Sequence, residues 1–436
     1  MEHIRFQRLA TYASVLERLF PEEFENGEGV FDVTFQVTDG CNLRCSYCYQ
    51  IAKKTHMLSF EDAKKFVDML LSGEENPYYK PEGVAGFVFN FIGGEPLINM
   101  ELIEQITDYV ISAMIQMRHP LLFRTRFSIC CNGTLYFSDA FQKYLNKFRP
   151  WFSLSISIDG NKELHDRCRV FPDGSGSYDM AVAAAKHYKE LISLFPSTKL
   201  TLSPANVEFL FPAVKNLLDI GYVEIIGNPA FEKGWELKHA RIYYRQLMKL
   251  ADYLFDNDLD DKVYISFFEE QKGGSFFQPY DFSKPHDLEN WCGGNGRMIA
   301  INHTGRIYPC LRYMEDALGG EVPPIVIGDV EHGLGYTQEQ LDLIDELQAI
   351  NTKTQSSEEC INCPIGKGCS WCQAYNYQDS GCLNHRATYI CWMHKARCLA
   401  NEYFWNRYYE KYGMSDHFVN YMKPEWIEAL QSEDEE

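Results

Sequence analysis

The eight residues Cys41-Asn42-Leu43-Arg44-Cys45-Ser46-Tyr47-Cys48 constrain this chain more than any other stretch. Cysteine is among the most buried residue types, yet three in a polar loop preceded by Gly40 fit a packed core poorly. They suit a 4Fe-4S cluster, whose irons each take a thiolate. Three ligands leave one iron open to a substrate or cofactor, by the logic that separates catalytic from structural zinc sites. The spacing of three residues then two differs from the paired Cys-x2-Cys knuckles of zinc sites. An extended apolar run over 31–37 delivers the loop.

A formal net charge of -20 disfavours a nucleic-acid partner, because neutralising phosphates takes clustered Lys and Arg. The first twenty residues read as an amphipathic helix and lack the unbroken apolar core of a signal peptide. No run of about eighteen apolar residues predicts a membrane span. Fifteen cysteines without an export signal place the chain in a reducing cytoplasm, with its thiols used for metal and not for disulfides. At 436 residues, two or three domains are expected.

Short β-branched and aromatic runs alternate with stretches of helical period, the pattern of βα units and a parallel sheet. Strands are predicted over 31–37, 86–92, 125–130, 152–158, 199–203 and 222–226. Helices are predicted over 59–71, where Ser59 is a capping residue, and over 99–117, 138–148, 177–194, 211–220 and 235–255. Six βα units make an α/β fold, a partial (β/α)6 TIM-like barrel with functional loops at the strands' C-terminal ends.

Those ends carry further motifs. Gly93-Gly94-Glu95-Pro96 follows the second strand; two glycines let the backbone approach a ligand, and the carboxylate can receive an ammonium group. Cys131-Asn132-Gly133-Thr134 ends the third strand, and Ser155-Ile156-Ser157-Ile158-Asp159-Gly160 ends the fourth and leads to His165, Asp166 and Arg169. With Cys-x3-Cys-x2-Cys and Tyr47 before its last cysteine, these motifs resemble the radical S-adenosylmethionine (SAM) enzymes over about residues 30–260. The resemblance implies that Cys41, Cys45 and Cys48 hold the catalytic 4Fe-4S cluster. It also implies that Gly93, Gly94, Glu95 and Pro96 hold the amino group of S-adenosylmethionine, with Asn132, Ser157, Arg169, Tyr47 and Asp159 in the same site. One electron passed from the cluster to the sulfonium yields a 5'-deoxyadenosyl radical, and the protein holds the target C–H beside it.

A second composition begins at Trp291: nine of the fifteen cysteines lie between Cys292 and Cys398. Cys292-x12-Gly305-x4-Cys310, then Cys360-x2-Cys363-x5-Cys369-x2-Cys372, Cys382, Cys391 and Cys398 resemble the iron-sulfur cluster-binding SPASM domain, which has three residues where two separate Cys369 from Cys372. The resemblance implies three 4Fe-4S clusters in all. One auxiliary cluster takes Cys360, Cys363, Cys369 and Cys391, and the other takes Cys292, Cys310 and Cys372 with either Cys382 or an open iron. A zinc ribbon of Cys360, Cys363, Cys369 and Cys372 is the competing grouping. Cys130 reads as barrel core and Cys131 or Cys168 as facing the cavity. The late aromatics Trp371, Tyr375, Tyr377, Trp392, Phe404 and Trp405 read as packing for the clusters and for a helix over 387–409. The domain plan is an N-terminal helical extension 1–29, the partial barrel 30–260, a linker 261–290, the SPASM domain 291–400, and a C-terminal helix with an acidic tail 401–436.

The implied function is radical SAM maturation of a ribosomally made precursor peptide, with a Cys thioether as the expected cross-link. Formylglycine formation by an anaerobic sulfatase maturase is the first alternative. Those enzymes carry an Asp where this chain has Leu311, although Asp159, Glu315 or Asp316 could substitute. A carbon–carbon cyclophane former is another enzyme reading, and an iron-sulfur electron carrier or scaffold the non-enzyme one; the latter would not need the motif at 93–96 or Arg169. The implied partners are the precursor peptide and a reductant such as flavodoxin or ferredoxin. About 30 residues precede the first strand, fewer than a leader-binding winged helix of roughly 80, so a separate leader-binding protein is a further candidate.

Overall fold

Phe31, Val33, Phe35 and Val37 alternate along β1 (Val30–Thr38) and all four are buried, so the sequence period sets one face of the strand against helices. Phe35 meets Phe66 of α1 (Phe60–Leu71) edge-on at 5.5 Å. The computed structural model describes residues 29–432 except 51–52, 81–82, 232, 269–276 and 291. The amphipathic helix expected over the first twenty residues, the end of the acidic tail at 433–436 and part of the linker lie outside the described residues.

β1 pairs in parallel with β2 (Gly86–Gly93), and the pairing continues in chain order through β3 (Thr125–Cys131), β4 (Phe152–Ile156), β5 (Ser197–Leu202) and β6 (Glu224–Pro229). Between them run α2 (Met100–Gln116), α3 (Asp139–Phe148), α4 (Lys162–Cys168), α5 (Tyr178–Ile192) and α6 (Leu210–Ile220), with α7 (Leu237–Asp256) after β6. The Ser59 cap forms, its hydroxyl accepting from the Asp62 N–H at 3.0 Å. The expected strand 152–158 stops at Ile156, although the Ser157 N–H still donates to the Cys131 carbonyl at 3.0 Å. This is the partial barrel, with its apolar strand faces under the helices. The opposite faces are polar: Asn90, Ser128 and Ser153 stand in register across three strands, and Cys130 stands opposite Ser155.

The C-terminal region grows out of the same sheet. β8 (Met298–Ile301) pairs in parallel with β1 on the side away from β2, and β9 (Arg306–Tyr308), β10 (Gly328–Asp329) and β11 (Gly333–Leu334) continue it antiparallel. β7 (Tyr264–Ile265) closes the other edge beside β6, giving an 11-stranded sheet among the described residues. α8 (Gln338–Ala349) and α9 (Gln373–Ser380) follow, then the long α10 (Cys391–Lys411) and α11 (Pro424–Gln431). α10 is joined to α7 by Tyr403 and Arg407, which both donate to Asp252 at 2.6 Å, and Phe404 stacks on Phe268 at 4.3 Å. No helix among the described residues is long and apolar enough to cross a membrane.

Candidate active site and thiol clusters

The cysteine loop leaves β1 at Thr38 and is held from two sides. Arg44 and Ser46 donate backbone N–H groups to the carbonyls of Val170 and Cys168 at 2.7 and 2.9 Å, which ties the loop to the segment after α4. On the other side the Thr38 hydroxyl donates to the His56 carbonyl at 2.9 Å. Cys41, Cys45 and Cys48 are half-buried free thiols. Lys53 Nζ stands 3.1 Å from Cys48 Sγ, and Arg169 Nη1 stands 4.0 Å from Cys45 Sγ. Burial pushes the Cys41 and Cys45 thiols up; Lys53 opposes this at Cys41 and Arg169 at Cys45. Three half-buried thiols on one loop with two cations beside them fit an anionic, thiolate-ligated cluster.

Backbone approach explains the glycines at 93–94. A Cβ on Gly93 would lie 2.3 Å from the Thr38 carbonyl oxygen, and one on Gly94 would lie 2.2 Å from the Gly40 carbonyl oxygen and 2.8 Å from Cys41 Cβ. The glycine pair is therefore the surface on which the cysteine loop rests. Glu95 donates its N–H to the Gly40 carbonyl at 2.8 Å, and Pro96 opens the short 3-10 turn that follows. The Glu95 carboxylate is buried; Oε1 accepts from the Leu97 N–H at 3.1 Å and Oε2 from the Asn132 N–H at 2.7 Å. Burial pushes its pKa up to about 7. The Asn132 side chain continues the chain of contacts, donating to Asn42 Oδ1 at 2.9 Å inside the cysteine loop. Ser157 enters through its backbone contact to Cys131.

Asp159 and Arg169, expected in one site from the motif that ends the fourth strand, pair directly. Arg169 Nε donates to Asp159 Oδ2 at 2.9 Å, the Tyr47 hydroxyl donates to the same oxygen, and the guanidinium lies 5.3 Å from the Tyr47 ring centre. Burial holds the Tyr47 phenol well above the usual range, so it stays a donor. Asp159 Oδ1 is buried without a hydrogen-bond partner. One oxygen thus orders the aromatic of the cysteine motif against the arginine, and the other is left with an unmet acceptor in a site where a cofactor donor fits.

The structure reverses the reading of Cys130, Cys131 and Cys168. Cys131 and Cys168 are buried, while Cys130 is exposed on the polar inner face of β3, because alternate residues of a strand take opposite faces and Ile129 and Cys131 share the helix side. Near Cys130 and Cys48 lies Tyr49, whose ring centre is 4.7 Å from the Arg312 guanidinium. The inner face also receives Asp316, which accepts from Gln36 Nε2 of β1 at 2.8 Å. A further grouping went unseen in the sequence, where its members are far apart: Asp39, His56 and His303 offer ligand atoms within 4.8 Å of one another, and the two imidazoles stack at 4.4 Å. They join the end of β1 to the β8–β9 turn.

The later thiols divide into two sets. Cys310 is held above the usual thiol range by burial and then by its neighbours Cys292 and Cys372, and burial with Cys372 pushes Cys292 up to about 11. All three lie near Tyr313. Cys382 is exposed on the turn after α9. Cys360, Cys363, Cys369 and Cys391 line one cavity of ≈ 490 Å³. Cys372 belongs to the other set, so the four cysteines of the zinc-ribbon grouping do not come together. Cys398 is buried on α10. Clustered thiols are what a multivalent metal centre deprotonates on binding, and both sets fit one.

Residues 35–201 match the family model for the Radical SAM superfamily. The cysteine-type anaerobic sulfatase-maturating enzyme of Clostridium novyi (strain NT) is 24% identical over 361 residues, covering 80% of this chain and 86% of that enzyme. The antilisterial bacteriocin subtilosin biosynthesis protein AlbA of Bacillus subtilis (strain 168) is 21% identical over 349 residues, covering 78% of this chain and 66% of that protein. The solved structure of native anSMEcpe with bound AdoMet and Cp18Cys peptide has a TM-score of 0.59 at 17% identity and covers 88% of this chain and 99% of that one, so the two share the fold. Residues 35–201 of this chain thus carry a radical SAM domain, set in the fold that this solved structure shares.

Proposed function

We propose that this enzyme matures a ribosomally made precursor peptide by closing a thioether between a cysteine sulfur and an unactivated carbon. The observation that carries the reading is the division of the later cysteines into two sets, one of three and one of four, beside a barrel whose inner wall is polar. Two further clusters suit a net two-electron oxidation, in which each electron left by bond formation needs an acceptor. Likeness to maturases of proteins and peptides adds support.

When bound at Cys41, Cys45 and Cys48, a 4Fe-4S cluster with S-adenosylmethionine supplies one-electron chemistry able to take hydrogen from an unactivated carbon. The chain's residues bind and orient. Gly93 and Gly94 let the loop and cofactor backbone-side contacts come close, Glu95 offers a carboxylate for an ammonium group, and Asn132, Ser157, Asp159 and Arg169 border the same space. Arg169 keeps Tyr47 and Asp159 in one geometry and places a positive charge beside Cys45. Cys292, Cys310 and Cys372 would hold one auxiliary cluster, and Cys360, Cys363, Cys369 and Cys391 the other.

A second reading, oxidation of a side chain to formylglycine, is favoured by Asp316. Of the three carboxylates that could replace the Asp missing at Leu311, Asp159 is engaged by Arg169 and Tyr47, and Glu315 by Tyr308 and Arg306. Asp316 accepts from Gln36 on the inner face, and burial raises its pKa. Mass spectrometry of candidate Cys-containing peptides encoded beside the gene separates the readings. A thioether removes two hydrogens and one alkylatable thiol per bond and survives thiol reduction. Two hydrogens lost with every thiol still alkylatable would reject it.

A further inference from the structure

The cavity that gathers Cys360, Cys363, Cys369 and Cys391 also holds a buried lysine. Lys395 lies one helical turn after Cys391 on α10 and is only 6% exposed. Its ammonium is 4.2 Å from the Trp392 ring centre and 3.8 Å from that of Trp426, which comes from α11. Two indole faces at these distances hold a cation through the ring quadrupole and strip it of water. No described carboxylate forms an ion pair with it. Glu358 and Glu359 line the same cavity but stand exposed at its edge, as does Lys423. The other buried cation in the lining, Arg386, is held by the Trp371 ring at 4.1 Å and donates to the Cys369 carbonyl at 3.2 Å.

A lysine ammonium is expensive to bury without a counter-charge, and the anions that can face this one are the thiolates of the cavity. Burial pushes the Cys391 thiol up to about 12, and Lys395 is the largest of the influences that oppose it. At Cys363 burial again dominates and Lys395 again opposes it. A 4Fe-4S cluster on four thiolates is anionic and becomes more so with each electron it accepts, and the potential of such clusters follows the local charge. A fixed cation therefore favours the reduced state.

We propose that Lys395, clamped by Trp392 and Trp426, sets the reduction potential of the cluster held by Cys360, Cys363, Cys369 and Cys391, keeping it high enough to take up the one electron left when the thioether C–S bond closes on the substrate carbon radical. The step is a one-electron reduction; no bond to Lys395 forms or breaks, and no proton is required. This rests on the assignment of a cluster to that cavity.

The test uses the full chain, anaerobically reconstituted. Iron content and an EPR-monitored redox titration are compared for the wild type, Lys395→Met, Lys395→Arg and Trp426→Leu, and a Cys360→Ala/Cys363→Ala variant identifies which signal belongs to the cavity. Lys395→Met should keep its iron and shift that one signal to lower potential, so that at a fixed poise the reduced-to-oxidised ratio falls about tenfold or more, the size expected of one buried charge a few ångströms away. Lys395→Arg should stay near the wild type, and Trp426→Leu should shift in the same direction by less. An unchanged midpoint in Lys395→Met, or loss of the cavity's iron in that variant, overturns the proposal. If wild type and the double cysteine variant hold the same iron and show the same signals, the cluster assignment itself fails, and the proposal with it.

Discussion

Arg169 donates through Nε to Asp159 Oδ2 at 2.9 Å, and this pair links the end of β4 to the cysteine loop, because Tyr47 shares the same carboxylate oxygen and Arg169 Nη1 lies 4.0 Å from Cys45 Sγ. Asp159 is fully buried and the Arg169 side chain is 12% exposed. The arginine therefore has two roles: it compensates a buried carboxylate and places a positive charge beside Cys45.

Removing one partner of such a pair leaves the other charge unpaired. Arg169→Ala should lower stability by about 3–5 kcal/mol, whereas the double change Arg169→Met/Asp159→Asn, which removes both charges, should cost markedly less. Denaturant unfolding of the cluster-free chain under anaerobic conditions measures both. Equal losses in the single and double variants would mean that the pair is not coupled.

Glu95 supplies a pH dependence. Burial raises its pKa to about 7, so the carboxylate is protonated in the folded chain below that point while the unfolded chain ionises from the ordinary glutamate range upward. Its contribution to stability is therefore present at low pH and lost as pH rises through about 7. Ammonium recognition needs the ionised form, so S-adenosylmethionine affinity should rise between about pH 6 and 7.5. Equilibrium binding should show Glu95→Gln weaker by about tenfold at the upper pH and flat across the range, since a lost charge-assisted contact costs about 1.5–3 kcal/mol.

Gly94→Ala probes the seat of the cysteine loop. The added Cβ would meet the Gly40 carbonyl oxygen at 2.2 Å and Cys41 Cβ at 2.8 Å, both on the strand end that carries the loop, so neither can turn aside as a flexible side chain would. Iron per chain should fall by about four atoms, one cluster's worth, with the later thiol sets still filled. Unchanged iron content would show that the loop tolerates displacement.

Much of this was legible along the chain because the signals were local. The alternating run at 31–37, the Ser59 cap and the six βα units needed only neighbours in sequence, and their strands and helices form within a few residues of the expected bounds. The β-structure after residue 260 was not foreseen. Its strands are two to four residues long and take their place by pairing beside β1 at one edge of the sheet and β6 at the other, so they leave no period to read. Cys130 was misread because a single residue of register decides which face a strand residue takes. Asp39 and His56 with His303 are a grouping made by folding between distant segments. Trp426 of α11 covers Lys395 of α10 from a separate element, which no local signal shows.

Cleavage of S-adenosylmethionine in the Cys41→Ala/Cys45→Ala/Cys48→Ala variant tests the assignment of the catalytic cluster most directly. Reductive cleavage to 5'-deoxyadenosine is followed by chromatography beside the iron content of the same reconstituted samples. The triple variant should lose about four irons and all reductive cleavage, while the Cys360→Ala/Cys363→Ala variant should still cleave. Cleavage retained in the triple variant would contradict the placement of the catalytic cluster on the loop that ends β1.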